Sequence, residues 1–389
     1  MEIVIGVILV VLAGLAMGSS AWPLKILEAK YPEYKWEQLW FVSIFFGNLV
    51  FTWIVILLGL GIGNVGKVFN YVGWGPILMG NLFSFAWGIA NVLCGLCMIR
   101  IGVCLTQALI TGLGSSIAVL LPMCLKASGQ FADSPGLNSP AGVVILCGVF
   151  GMICGVLFSS YAGLGRSKDL GAAEEERKGS FVGGLIMVII AGILSAGLAL
   201  CFVYSNGPIV DAVYAIKGGV TTLTKESVAA FKASPGYETV AGQFWSPIIA
   251  TYTTQGLAVI AGMLVNLIVP AYHMTKKKTW NVMFSGAPQV ILSLIMGIQG
   301  SLAAFLCSFG MLKLGAIGAS VGAGIQQAMQ MIGGQMVGFI GGEWKGVGGL
   351  SKALMYTAVA ALLIASIIMI VAKAMPYQTV AQIKAMFPG

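Results

Sequence analysis

The chain has 389 residues, of which 58% are hydrophobic and 9% charged, against roughly 25% charged in soluble domains. That gap excludes a water-soluble globule, as does the mean hydropathy of +0.95. A formal net charge of +8 does not point to nucleic acid, because the Lys and Arg residues are scattered between apolar runs with no basic face.

A transmembrane helix needs roughly 20 apolar residues, and ten runs qualify. In chain order they are 2–22, 38–61, 75–99, 101–124, 140–164, 181–204, 244–272, 282–311, 313–341 and 350–374. The chain opens Met1-Glu2-Ile3 with no basic flank, so the first run is expected to be a span and not a cleaved leader. Only a tight turn at Arg100 parts the third and fourth spans, and one at Lys313 parts the eighth and ninth. Residues 165–180 read as a charged cytoplasmic linker. Residues 205–243 read as a polar loop with a short helix over Thr224–Ala233, ended by Pro235-Gly236. Thirteen Lys and Arg follow odd-numbered spans and eight lie on the other side. The positive-inside rule then puts the odd loops in the cytoplasm and both termini in the periplasm.

The two halves resemble each other. Cys94-Gly-Leu-Cys-Met-Ile-Arg-Ile-Gly102 aligns with Cys307-Ser-Phe-Gly-Met-Leu-Lys-Leu-Gly315, each at the junction of the third and fourth spans of its half. Val10-Val-Leu-Ala-Gly14 and Ile189-Ile-Ala-Gly192 are alike in the first spans. Five spans per half is an odd number, so the second copy enters the membrane from the opposite side. The expected fold is an all-α polytopic membrane protein, ten transmembrane helices in two inverted five-helix repeats: residues 1–164, the linker 165–180, and residues 181–389. Inverted repeats are a common build of secondary carriers.

The chemistry-bearing residues are few. All eight cysteines fall in or beside apolar runs, so Cys94-Gly-Leu-Cys97 reads as packing and not as a redox pair. No acidic residue lies in the middle of a span; Glu37 and Glu343 stand at span ends. The one histidine, His273, closes the seventh span. Clustered metal ligands, a Ser-His-Asp set and a nucleotide-binding glycine loop are not evident, so neither an enzyme nor an ATP-driven pump is expected, and no cofactor. Neutral amides do enter the spans: Asn48, Asn81, Asn91, Gln107, Gln255, Asn266, Gln289, Gln299, Gln326, Gln327, Gln330 and Gln335. Gln326 and Gln330 share a helix face. Trp87 lies deep in the third span with Asn91 one turn along. Amides for hydroxyls and an aromatic face for a C–H surface suit a small neutral sugar.

With these residues in view, the chain resembles the L-rhamnose–proton symporters, ten-helix members of the drug/metabolite transporter superfamily. The resemblance is carried by Trp87-Gly-Ile-Ala-Asn91, Gly95-Leu-Cys-Met98 and Gly102, and by Pro23 with Lys25. Trp36-Glu37 with Trp40, Lys178-Gly179, Ser195-Ala-Gly197, Pro208 and Glu343-Trp344 add to it. It implies proton-coupled sugar uptake across a bacterial inner membrane by alternating access. Where the family has aromatics in the eighth span and a histidine in the ninth, this chain has Gly300-Ser-Leu-Ala-Ala304 and Gln326-Gln327, which leaves L-rhamnose or a related deoxysugar open. The expected sugar-binding residues are Trp87, Asn91, Gln107, Gln255, Gln326 and Gln330. Glu37 and Glu343 are the candidates for proton coupling. A drug or metabolite exporter of the same superfamily is the alternative, a membrane enzyme a more distant one, and the oligomeric state is open.

Overall fold

The computed structural model describes residues 2–124, 135–170, 181–314, 322–371 and 375, and all the regular structure among them is helical. Helix α1 (Glu2–Ser19) is apolar throughout and exposes Ile3, Val4, Ile5, Ile8 and Leu12, while Val10 and Ala13 are buried. Large apolar groups on an outer face are what a lipid solvent allows. After Ser20 turns back on the Met17 carbonyl at 2.7 Å, α2 (Trp22–Lys30) continues the run.

Next come α3 (Trp36–Val42), a π-helical stretch (Ser43–Val50) and α4 (Phe51–Gly59). Gly47 in the π-helical stretch lies against Gly297, where a Cβ would come within 2.5 Å of the Gly297 Cα. α5 (Ile62–Val72) precedes two long helices, α6 (Trp74–Ile101) and α7 (Val103–Cys124). They are parted at Gly102, whose φ of +90° is open to glycine and costly for most other residues. α8 (Pro140–Leu170), α9 (Phe181–Ser195) and α10 (Gly197–Lys217) follow.

Residues 205–243 differ from the polar loop expected. α10 carries on to Lys217 because Ile209, Val210, Ala212, Val213, Tyr214 and Ala215 are buried, a stripe that Asp211 and Lys217 hide from a hydropathy reading. α11 (Lys225–Lys232) then starts at the Thr224 cap, as its sequence predicts. Pro235 opens α12 (Pro235–Gly242) instead of only closing α11. Asp211 gathers this segment, accepting from Lys232 and from the Tyr237 hydroxyl at 2.7 Å each.

The seventh apolar run is two helices, α13 (Trp245–Ala258) and α14 (Ile260–Lys277), bent by 61°. A 3₁₀ turn (Trp280–Phe284), α15 (Ala287–Leu314), α16 (Ala323–Ile340) and α17 (Gly349–Val371) complete the described chain. Seven helices are long and apolar enough to cross a membrane, or eight if the bent pair is one span, among the described residues. Lys178-Gly179, Gly315 and most of the 165–180 linker lie outside the described residues.

The helices cluster into two compact units, each drawing on both halves of the chain. One comprises residues 1–30, 90–196 and 306–389. In it α1 packs on α16, α9 on α7, α8 on α17, and α7 on α16. Its core is built on Val10, Val119, Ile145, Met152 and Ile325. The other comprises residues 31–89 and 197–305. There α10 and α4 pack on α13, and α3 on α14.

Candidate functional site

In the first unit three of the expected residues form one chain. The Gln326 amide nitrogen donates to Gln330 Oε1 at 2.9 Å, as the i, i+4 spacing predicts. Gln330 in turn donates to Gln107 Oε1 on α7 at 3.4 Å. Gly14 and Gly18 let α1 lie against the Gln326 and Gln330 carbonyls, where any Cβ would clash. Asn91 is half-buried on α6. Gln335, one turn beyond Gln330 and 2% exposed, has neither amide atom paired among the described residues.

The same unit holds Glu343 just after α16, beside the Gly102 break. Its carboxylate accepts from the Val103 and Cys104 backbone N–H groups at 2.8 and 3.2 Å. These are first-turn donors of α7, which has no earlier turn to bond. Lys25 Nζ lies 2.8 Å from the same carboxylate. Arg166 donates to the Glu343 carbonyl at 2.8 Å and to the Ile101 carbonyl, in the last turn of α6, at 3.1 Å. Glu343 and Arg166 thus cap both helix ends at the break. A Cβ on residue 102 would come within 2.8 Å of Glu343 Oε2. Burial alone would raise the Glu343 carboxyl, but the Lys25 ammonium, Arg166 and the Val103 amide together hold it below the usual carboxylate range.

In the second unit Glu37 stands in the first turn of α3, with its side chain 4% exposed. Its ion-pair partner is Lys277 at 2.8 Å, whose own side chain is 52% exposed. Neighbouring Gln38 ties α3 to the end of α14 through Thr279 Oγ1 and the Thr279 carbonyl, at 3.0 and 3.2 Å. Trp36 packs on Trp40 at 5.8 Å and meets the His273 ring edge-on at 6.3 Å.

The break between α13 and α14 gathers the other expected residues of this unit. Gln255 lies on α13 just before it. Its carbonyl oxygen accepts from Thr52 at 3.4 Å, while its buried amide nitrogen has no partner among the described residues. The Trp87 ring lies just past the break, where a Cβ on Gly262 would come within 2.9 Å of it. Tyr252, fully buried, accepts from Ser301 at 3.3 Å. Trp40 donates to Asn266 at 2.8 Å, and Asn266 donates to the Gly262 carbonyl at 2.9 Å.

Sequence reasoning named Trp87, Asn91, Gln107, Gln255, Gln326, Gln330, Glu37 and Glu343. It did not foresee Lys25 and Arg166 as partners of Glu343, nor Asn81 and Ser84 at the break. Their one signal was polarity inside or beside an apolar run.

The L-rhamnose-proton symport protein family matches residues 1–377. Among curated proteins, an L-rhamnose-proton symporter of Mannheimia succiniciproducens is 28% identical over 173 residues, which is 44% of this chain and 47% of the relative. One from Pectobacterium atrosepticum is 31% identical over 43% of this chain and 46% of its own. One from Yersinia pestis is 30% identical, again over 43% and 46%. The chain therefore spans about half the length of the curated relatives it matches. No solved structure matches it.

Proposed function

The chain belongs to the L-rhamnose-proton symport protein family, and on that premise we propose that it imports a neutral monosaccharide, L-rhamnose or a related deoxysugar, together with a proton. The observation that carries the choice of substrate is the run of carboxamides Gln326–Gln330–Gln107 in one unit; the other unit by itself holds Gln255, whose amide nitrogen has no partner among the described residues. An unpaired amide in an apolar interior costs roughly 1–3 kcal/mol, and a sugar hydroxyl repays it without bringing a charge. Trp87 offers an aromatic face and Asn91 a further amide.

The proposed mechanism is alternating access between two inverted five-helix repeats of a ten-span inner-membrane protein, with odd loops cytoplasmic and both termini periplasmic. Three observations support it. The packing in the first unit maps onto itself when the halves are exchanged: α1 on α16 answers α9 on α7, while α8–α17 and α7–α16 answer themselves. Gly14 and Gly192, aligned in the repeat, each sit at one of the paired crossings. Lys25, Arg166 and Glu343 also meet although they follow the first, fifth and ninth expected spans, as alternate crossings require.

Of the two carboxylates, Glu37 is the better proton carrier. Among the described residues it has a single ion-pair partner, on a half-exposed side chain, whereas Glu343 is held by Lys25 and two backbone N–H groups on its carboxylate and by Arg166 on its carbonyl.

The test is uptake of labelled L-rhamnose into proteoliposomes under an imposed inward proton gradient, with unlabelled sugars as competitors. Gradient-stimulated uptake competed by rhamnose and its close relatives is the expected result. Folded protein that takes up no sugar, with no competitor acting, overturns the reading in favour of an exporter.

A further inference from the structure

The break in the seventh apolar run has no proline at its apex, where the chain reads Gly256-Leu-Ala-Val-Ile-Ala-Gly262. Its cause lies in the neighbours. The helical ladder is intact up to Val259, whose N–H bonds the Gln255 carbonyl at 3.2 Å, and resumes at Met263, whose N–H bonds the Val259 carbonyl at 3.1 Å. Of the three i→i−4 pairs in between, side chains take the place of two, Ala261–Leu257 and Gly262–Ala258.

The Asn81 amide stands in for the first pair. Its Oδ1 accepts from the Ala261 N–H at 3.0 Å, and its Nδ2 donates to the Leu257 carbonyl at 2.8 Å. A single carboxamide thus satisfies both halves of one missing backbone bond. The second pair is shared by two residues. Ser84 Oγ accepts from the Gly262 N–H at 3.2 Å, and the Cys201 thiol donates to the Ala258 carbonyl at 3.4 Å. Asn81 and Ser84 lie on α6 and Cys201 on α10. Close approach is possible because Gly262 and Gly88 have no side chains: a Cβ on Gly262 would come within 2.3 Å of the Ser84 carbonyl, and one on Gly88 within 2.6 Å of the Gly262 carbonyl.

We infer that Asn81, Ser84 and Cys201 are positioning residues, a side-chain wedge that keeps the seventh span broken so that it can bind sugar. A side chain inserted into the i→i−4 ladder is a known cause of a sharp kink, and buried backbone groups in a membrane must be paired by something. The wedge supplies the pairing for four of the freed backbone groups, so the break is a stable conformation and not a defect. Its use is local. One turn before the break, Gln255 presents an amide nitrogen with no partner among the described residues, and just after it the Trp87 ring of α6 packs on Gly262. Straightening the span would turn α13, and with it Gln255, away from the Trp87 ring that packs on the other arm at Gly262.

Because this use of the break rests on the sugar-transport reading, the bend is measured first, in full-length protein without sugar or gradient. Spin-labelled unnatural residues at positions 245 and 272, both exposed, report the distance across the break by pulsed electron resonance. At 1.5 Å per residue a straight helix between these positions spans about 40 Å, and the 61° bend shortens that by on the order of 5 Å. In Asn81→Leu the Ala261 N–H and Leu257 carbonyl regain each other as their only partners. The label distance is expected to lengthen by that amount, and sugar uptake to fall at least tenfold. If Asn81→Leu does not fold, the double variant Ser84→Ala, Cys201→Ala is expected to lengthen the distance, while Cys201→Ser, which keeps a donor, retains the wild-type distance and uptake. An unchanged distance in the folded apolar variants overturns the wedge, whatever uptake does. A lengthened distance with wild-type uptake overturns its role in transport. If wild-type protein carries no sugar yet the distance responds as expected, the wedge stands and the sugar reading alone falls.

Discussion

Two buried carboxylates at span ends, each 2.8 Å from a lysine, are held in different ways. Glu343 has Lys25 at 19% exposure, two helix-start amides on its oxygens and Arg166 on its carbonyl. Among the described residues Glu37 has Lys277 alone as its ion-pair partner, and half of that side chain is in the open. A proton carrier must lose its counter-ion and regain it in each cycle. A carboxylate that closes a helix end and joins two other segments cannot do so without opening the structure around it. Burial and scarcity, which Glu37 and Glu343 share, therefore do not identify the carrier; the number and mobility of the partners do.

The sharpest way to break this contrast is Glu343→Gln. It leaves the Lys25 ammonium half-compensated and the α7 start poorly capped, and breaking a buried pair costs roughly 3–5 kcal/mol, a large share of ordinary stability. The expected result is a marked fall in melting temperature and yield in detergent. Its pH dependence follows from the lowered carboxyl. Stability that comes from a depressed carboxylate is fully present above the unfolded-state value, about 4.3 for Glu, and is lost as pH falls through the folded-state value. The gap in melting temperature between wild type and Glu343→Gln should therefore stay constant from pH 8 to about pH 5.5 and narrow only below roughly pH 4. A gap that closes between pH 7 and 6 would mean that Glu343 titrates in the working range, and would return it to the list of proton carriers.

Glu37→Gln should separate coupling from transport. The amide keeps the size of the side chain and loses the titration. Gradient-driven accumulation of sugar is expected to fall at least tenfold, while exchange of labelled for unlabelled sugar, which needs no net proton movement, continues. Accumulation at the wild-type level would remove Glu37 from the mechanism.

The sequence made the apolar runs and the Gln326–Gln330 pair visible because each is a local pattern, a run length or an i, i+4 spacing. The partners of both glutamates were not visible, since Glu37 and Lys277, or Glu343 and Val103, lie some 240 residues apart and nothing local joins them. The bend at Val259 was hidden for a related reason. Its cause is on α6 and α10, and the bent segment itself reads as an unbroken apolar helix. Asn81 stood out as an amide in a span, but polarity alone does not say whether such a group binds a ligand, glues two helices or replaces a backbone bond. The extension of α10 past residue 204 was masked by Asp211, a charge satisfied by Lys232 and Tyr237.

The two lysines give the smaller and finer test. Lys25→Gln leaves Glu343 with its two amides and Arg166, so part of the cap survives. A loss of about 1–3 kcal/mol is expected, the scale of a charge-assisted bond, read as a melting shift clearly below that of Glu343→Gln. Lys277→Gln should do least to stability, about 0–1 kcal/mol, because a half-exposed ion pair is weak. Its effect belongs on transport instead. Without the ammonium, the buried Glu37 carboxylate loses the counter-charge that lies 2.8 Å from it. Gradient-driven accumulation of sugar per folded protein should therefore fall in Lys277→Gln and stay at the wild-type level in Lys25→Gln. If Lys25→Gln loses accumulation and Lys277→Gln does not, the roles of the two carboxylates are the reverse of those proposed, and Glu343 carries the proton despite its many partners.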